Sequence, residues 1–328
     1  MSYEESASEQ FSNINPMHVG LLEATLRAPS AHNAQPWRIR PVDGTNYEVH
    51  YHQTPDLPAD PKDKDAYLTM GAFIETMVLE GPKHGVNVEV TPELTRNGQD
   101  LFIATIALNG VVKVDQEDPL TQWVGARHTN RNRFAADPLP SSLEENLETL
   151  GNILIDPKDL TAIVKEASVS SWADSQYITD LKNWIRLNND ASDGITPGAF
   201  NLSKVDLVGL RFAFWRGSLK SHMLGVLYSS RDIALFSSSP RAAVLSAEDM
   251  NPTSLFNAGR NLLRSWVTIA GEGYSYQPVS IAVDDPDAAS KVANIAQVEN
   301  PVALYRIGRA SKPAQRSNRR PLSEVLIN

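Results

Sequence analysis

The chain has 328 residues, a formal charge of −9 and no cysteine. That length suits two domain-sized units or one large repeat, and the missing thiol excludes disulfides, thiolate metal sites, iron–sulfur clusters and cysteine nucleophiles. With 41% hydrophobic and 21% charged residues the composition is that of a soluble globular protein, and the acidic balance argues against nucleic acid as a partner. No apolar run is long enough to span a bilayer. The acidic start, with Glu4, Glu5 and Glu9, is not a secretory signal, so a cytoplasmic location without membrane contact is expected.

Residues 1–15 read as a polar, mobile tail. Asn15-Pro16 is an N-cap followed by a first-turn proline, and Leu21, Leu22 and Leu26 give a helix its apolar stripe until Pro29 stops it. The run Pro29-Ser30-Ala31-His32-Asn33-Ala34-Gln35-Pro36-Trp37 is too polar for a core element and too rich in turn formers for a slack linker, so it is a candidate ligand-binding loop. Trp37–Pro41 and Tyr47–His52 form a hairpin around Asp43-Gly44. Met70, Phe73, Ile74, Met77 and Val78 have helical spacing; Pro82 kinks or shortens that helix and Gly85 ends it. Val86–Val90 and Leu101–Leu108 follow as strands.

Ser141 and Ser142, each three residues before a glutamate, predict a capping box that opens a helix through Leu150. Ala242–Leu245 and Val302–Ile307 read as strands, and Gly259, Leu262, Leu263, Trp266, Val267 and Ala270 trace a second long helix. Gly259 and Gly273 are spaced as Gly71 and Gly85 are, which predicts a divergent internal duplication. Residues 182–239, with an apolar group at Phe212, Phe214, Trp215 and Leu219, form an insert that serves either as a lid or as packing. His50 and His52 share a strand face, yet without a third ligand they are solvent-facing residues rather than a metal site.

Two acid-free basic groups stand out in this acidic chain: Arg127, His128, Arg131 and Arg133, and Arg306, Arg309, Lys312, Arg316, Arg319 and Arg320. They suit either one small anionic ligand or a solvated surface. Taken with the Pro-Ser-x-x-Asn-x-Gln-Pro-Trp run and the closing Arg319-Arg320-Pro321-Leu322-Ser323-Glu324-Val325, the motif Arg127-His128-Thr129-Asn130-Arg131-Asn132-Arg133-Phe134 resembles those of the FMN-dependent nitroreductase superfamily. Because the arginine motif follows the Pro-Ser motif, the chain is similar to the single-chain, Acg-like branch, a fused pseudo-dimer.

The resemblance implies an α+β, nitroreductase-like fold duplicated within one chain, with central long helices flanked by mixed sheets and a lid-like insert at 182–239. Its halves would be 16–120 and 121–328, with no obligate oligomer. It also implies one FMN per chain. Arg127, His128, Thr129, Arg131, Arg319 and Arg320 would lie on the phosphate and ribityl side, with Pro29, Ser30, Asn33 and Gln35 at the ring and Gln277, Pro278, Val279 and Ser280 at its N5 and pyrimidine edge. NADH or NADPH would donate hydride, and a nitroaromatic, quinone or similar small molecule, or else one specific metabolite oxidised by the flavin, would be the substrate. No catalytic side chain is singled out, since the flavin carries the redox chemistry. A non-catalytic FMN-binding or storage protein with a closed site is the alternative.

Overall fold

The structure is a computed structural model that describes residues 14–52, 60, 63–110, 118–202, 207–208 and 222–327. The expected tail up to residue 13 and the apolar group at 212–219 lie outside the described residues. Two compact units form: Met1–Gly125 with Asn251–Arg264 and Asn318–Asn328, and Ala126–Met250 with Ser265–Ser317.

In the first unit, α1 (Pro16–Thr25) starts where Asn15 caps it, its side chain accepting from the Met17 amide at 3.1 Å. Strands β1 (Trp37–Pro41) and β2 (Asn46–His52) make the expected hairpin. Hydrogen bonds to Asp43 in its turn, from the Thr45 backbone first and then from Asn46, pull that carboxyl down to about 2. Helix α2 (Lys64–Glu80) tightens into a 3-10 turn at Gly81–His84, where Pro82 has no amide to continue the α-helical ladder, and ends at left-handed Gly85. Strands β3 (Asn87–Asn97) and β4 (Asp100–Asn109) complete a sheet of order β1-β2-β4-β3.

That sheet packs around Trp37, which is fully buried and stacks on Phe73 of α2 at 4.7 Å. A further helix, α7 (Pro252–Gly271), contributes its residues up to Arg264 to this unit. It crosses α2 at a pair of glycines: a Cβ on Gly71 would lie 2.0 Å from the Phe256 carbonyl, and one on Gly259 would lie 2.2 Å from the Leu68 carbonyl. Beside the crossing, buried Glu75 accepts from Arg260 Nε at 2.6 Å and Arg264 Nη1 at 2.8 Å, and Arg264 Nη2 reaches Asp118 at 2.6 Å.

The second unit contains α3 (Ser141–Thr149), β5 (Asn152–Ile155), α4 (Pro157–Ala173), α5 (Ser175–Trp184), α6 (His222–Ser237) and β6 (Arg241–Ser246). The last turns of α7 follow, then β7 (Ser275–Pro278), α8 (Ile281–Asp284), α9 (Pro286–Ala296) and β8 (Pro301–Gly308). Its sheet runs β5-β6-β8-β7, the same relative order as the first, with a long helix again between the second and third strands. All named strand pairs in both sheets are antiparallel, so the expectation of mixed sheets is corrected. Short hairpins join β1 to β2 and β3 to β4, and hairpins impose that sense. Parallel pairing among the described residues is confined to isolated bridges such as Ile39 to Leu326.

One further expectation changes, and one open alternative gains support. Pro140, fixed in extended backbone, takes the N-cap of α3 without a side-chain cap, which leaves Ser141 and Ser142 inside the first turn instead of forming a capping box. Within the 182–239 insert, the end of α6 is core: Phe236 belongs to a buried cluster with Leu160, Ile163 and Val164 of α4 and Leu304 of β8. Apolar residues at i, i+3 and i+4 on α4 present the face that α6 covers.

Candidate functional site

The sequence-predicted residues fall into two groups, one in each unit. In the first unit, the chain after α1 turns through a short 3-10 segment, Ala31–Asn33; His32 and Asn33 within it and Gln35 just beyond it have left-handed backbone, at φ 51°, 57° and 53°. None is glycine, so the turn is strained by roughly 1–3 kcal/mol per residue and needs external support. Ser30 Oγ accepts from the Gln35 amide at 3.1 Å, and Asn33 Nδ2 donates to the Asn318 carbonyl at 3.2 Å. Gln35 is fully buried; its side chain donates to the Asn33 carbonyl and accepts from the Arg320 amide at 2.8 Å.

Arg319 answers a different need. Its guanidinium donates to the carbonyls of Leu26, Arg27 and Ala28, the residues that follow α1 directly. A cation here also complements the negative end of the helix dipole. The structure therefore joins the Pro29–Gln35 turn to Arg319 and Arg320, with Pro29, Ser30 and Asn33 half-buried and Gln35 acting as internal scaffold.

In the second unit, the Arg127–Arg133 loop is laid against β7. Thr129 bridges Tyr276, and Asn130 donates its amide to the Tyr276 carbonyl at 3.0 Å. Asn130, almost wholly buried, also accepts from the Asn132 amide at 2.9 Å and donates to the Lys312 carbonyl at 2.9 Å, so it fixes the shape of the loop. Arg127 donates Nη1 to the Tyr276 hydroxyl at 2.7 Å. Arg131 donates to the Ala199 carbonyl at 3.0 Å and lies over the Phe200 ring at 4.7 Å. Loss of water lowers its pKa, and the charge of Asp232 opposes that.

His128 donates from Nδ1 to the Ala126 carbonyl at 2.8 Å; burial, reinforced by Arg316 and Arg127, lowers its pKa and leaves the ring neutral at pH 7. Gln277 accepts from Arg306 Nε at 2.8 Å, while Val279 donates its amide to the Leu304 carbonyl. Pro278 and Val279 are half-buried and Ser280 is exposed. Arg127, Thr129 and Arg131 are thus brought together with Gln277–Ser280, whereas Arg133 points to solvent.

Three residues outside the predicted set hold this arrangement. Arg306, 1% exposed, donates to Gln277, to the Asn132 carbonyl at 2.8 Å and to Ser239 at 3.3 Å, and lies 3.8 Å above the Phe134 ring. Burial pulls its guanidinium down to about 9. Tyr276 receives Arg127, and Asp232 is the carboxylate whose charge acts on both Arg131 and Arg306. The sequence signal for Arg306 was one arginine inside an apolar strand run. In the other sheet, His50 pairs with Glu48 and His52 with Asp100; no group of three or more metal-ligating side chains forms among the described residues. No described helix is long and apolar enough to cross a membrane.

No family model matches the chain. Over 174 residues it is 25% identical to two curated proteins of Mycobacterium tuberculosis, from strains CDC 1551 and H37Rv, each provisionally named an NAD(P)H nitroreductase. The match covers 50% of this chain and 49% of each relative, so the chain spans about half the length of the curated relatives it matches. Similar solved structures include an FMN-bound nitroreductase of Bacteroides fragilis (8% identity, 62% of this chain, 94% of that one, TM-score 0.38). Another is the FMN-dependent nitroreductase NfnB of Mycobacterium smegmatis in complex with NADPH (15% identity, 62% and 96%, TM-score 0.39). Likenesses of that size carry no functional argument.

Proposed function

We propose that this protein is an FMN-dependent oxidoreductase of nitroreductase type, which takes hydride from NAD(P)H and delivers it to a nitroaromatic, quinone or similar acceptor. One observation carries the reading: a built loop gathers Arg127 and Arg131 beside β7, with Arg306 and Arg316 within electrostatic reach and one carboxylate, Asp232, acting against them. Like charges held together in partly dry surroundings repel, and an anion relieves them. The donor set fits a phosphate monoester: two guanidinium forks and the Thr129 hydroxyl. The names of the two mycobacterial relatives support the nicotinamide-linked redox class. The common strand order of the two sheets and the matching glycines support a duplicated unit.

When bound, FMN supplies the hydride acceptor and donor. The chain's own residues orient and retain it: Arg127, Thr129 and Arg131 hold the phosphate, Arg306 fixes Gln277, and neutral His128 adds no charge at pH 7. Arg127→Ala is expected to weaken FMN binding by about 1.5–3 kcal/mol, roughly tenfold to hundredfold, through loss of a charge-assisted contact. Solvent-facing Arg133→Ala should do far less, and a flavin titration of both variants separates them; equal losses would place the motif in the wrong register.

Quantifying released flavin and mixing the holoprotein anaerobically with NADH and NADPH tests the function. One FMN per chain and bleaching of its visible absorbance by a nicotinamide are expected. Reduction by dithionite but by neither nicotinamide would turn the reading to a flavin-storage protein, and absence of flavin binding would end it.

A further inference from the structure

We infer that Tyr276 is the positioning residue that holds Arg127 for an anionic phosphate, an inference that rests on the FMN reading above. Five contacts converge on this one side chain and its peptide. The hydroxyl accepts from Arg127 Nη1 at 2.7 Å, the carbonyl accepts from the Asn130 amide at 3.0 Å, and the backbone bridges Thr129. The ring stacks on Trp266 at 4.5 Å and 10°, and meets Tyr305 edge-on at 6.3 Å and 78°. Tyr276 is 1% exposed, so the phenol has no room to swing.

Arginine is long and rotamer-rich, and a guanidinium serves a phosphate only when its fork is held in place. The phenol oxygen does that through a short hydrogen bond anchored by a rigid aromatic stack. Alternation along β7 completes the device: Tyr276 faces the stack, while its neighbour Gln277 takes Arg306. One short strand thereby sets two of the site's cations.

Tyr276→Phe keeps the stack and deletes the acceptor. Binding of FMN and of riboflavin, which has the same ring without the phosphate, is to be measured for the wild type, Tyr276→Phe, Arg127→Ala and the double variant. The expected result is a roughly tenfold loss for FMN, little change for riboflavin, and a double variant no weaker than Arg127→Ala alone. Equal losses for FMN and riboflavin, or additive losses in the double variant, would overturn the inference. Should Tyr276→Phe fail to fold, Trp266→Phe loosens the stack with the hydroxyl kept and should show the same asymmetry in smaller measure; symmetric losses there would again overturn it. If the wild type binds no FMN, the FMN reading fails by itself. Inorganic phosphate then decides the inference: a phosphate-dependent rise in melting temperature in the wild type that Tyr276→Phe lacks supports it, and equal or absent shifts in both overturn it.

Discussion

Gly71→Ala and Gly259→Ala should each lower the unfolding free energy by at least about 2 kcal/mol, although both lie inside helices where alanine is the better former. Propensity alone favours alanine by roughly 1 kcal/mol. Against this, the new methyl would sit 2.0 Å from the Phe256 carbonyl or 2.2 Å from the Leu68 carbonyl, and backbone cannot rotate aside as a side chain can. The helices must separate, and the salt links from Glu75 to Arg260 and Arg264 lengthen with them. Urea unfolding measures the effect, with Gly44→Ala as control because a Cβ there meets nothing within 4 Å. Wild-type stability in either helix variant would refute the tight crossing.

Arg306→Met should destabilise the protein by about 3–5 kcal/mol, because three acceptors would each lose a charged donor. Methionine fills much of the volume and retains contact with Phe134, yet Gln277, Ser239 and the Asn132 carbonyl each lose a donor. Buried acceptors left without partners cost about 1–3 kcal/mol each. Chemical denaturation of Arg306→Met and of Arg241→Met, a half-exposed arginine paired with Glu144, separates burial from charge. The second should lose about 1 kcal/mol or less; similar losses in both would show that Arg306 is no keystone.

Local chemistry made much of this fold legible. Asn15 announced a cap, Asp43-Gly44 a hairpin, and Pro82 with Gly85 a helix end, because each acts within four residues of itself. Long-range satisfaction was not legible. Arg306 read as one of a string of cations suited to an anionic ligand or a solvated surface, since its partners stand 29, 67 and 174 residues away. Arg319 matched a family motif, while the carbonyls it binds follow a helix that ends at Thr25, nearly 300 residues earlier. Gln35 carries an amide suited to a ligand, and only the tertiary structure shows both ends of that amide turned inward. The apolar group at 212–219 drew the reading of the 182–239 insert, so the core helix that carries Phe236 was missed.

The left-handed turn at His32–Gln35 has a consequence for the order in which the protein is made. Its supports at Asn318 and Arg320 lie 285 residues downstream of Asn33 and Gln35. Translation proceeds at about 5–20 residues per second, so the ribosome holds the turn without its distant supports for on the order of tens of seconds. During that interval only local bonds, such as that from the Gln35 amide to Ser30, oppose relaxation of His32, Asn33 and Gln35 to ordinary backbone. A segment synthesised among the first is therefore set among the last, and a nascent chain halted before Asn318 would carry the first sheet without the turn that leads into it.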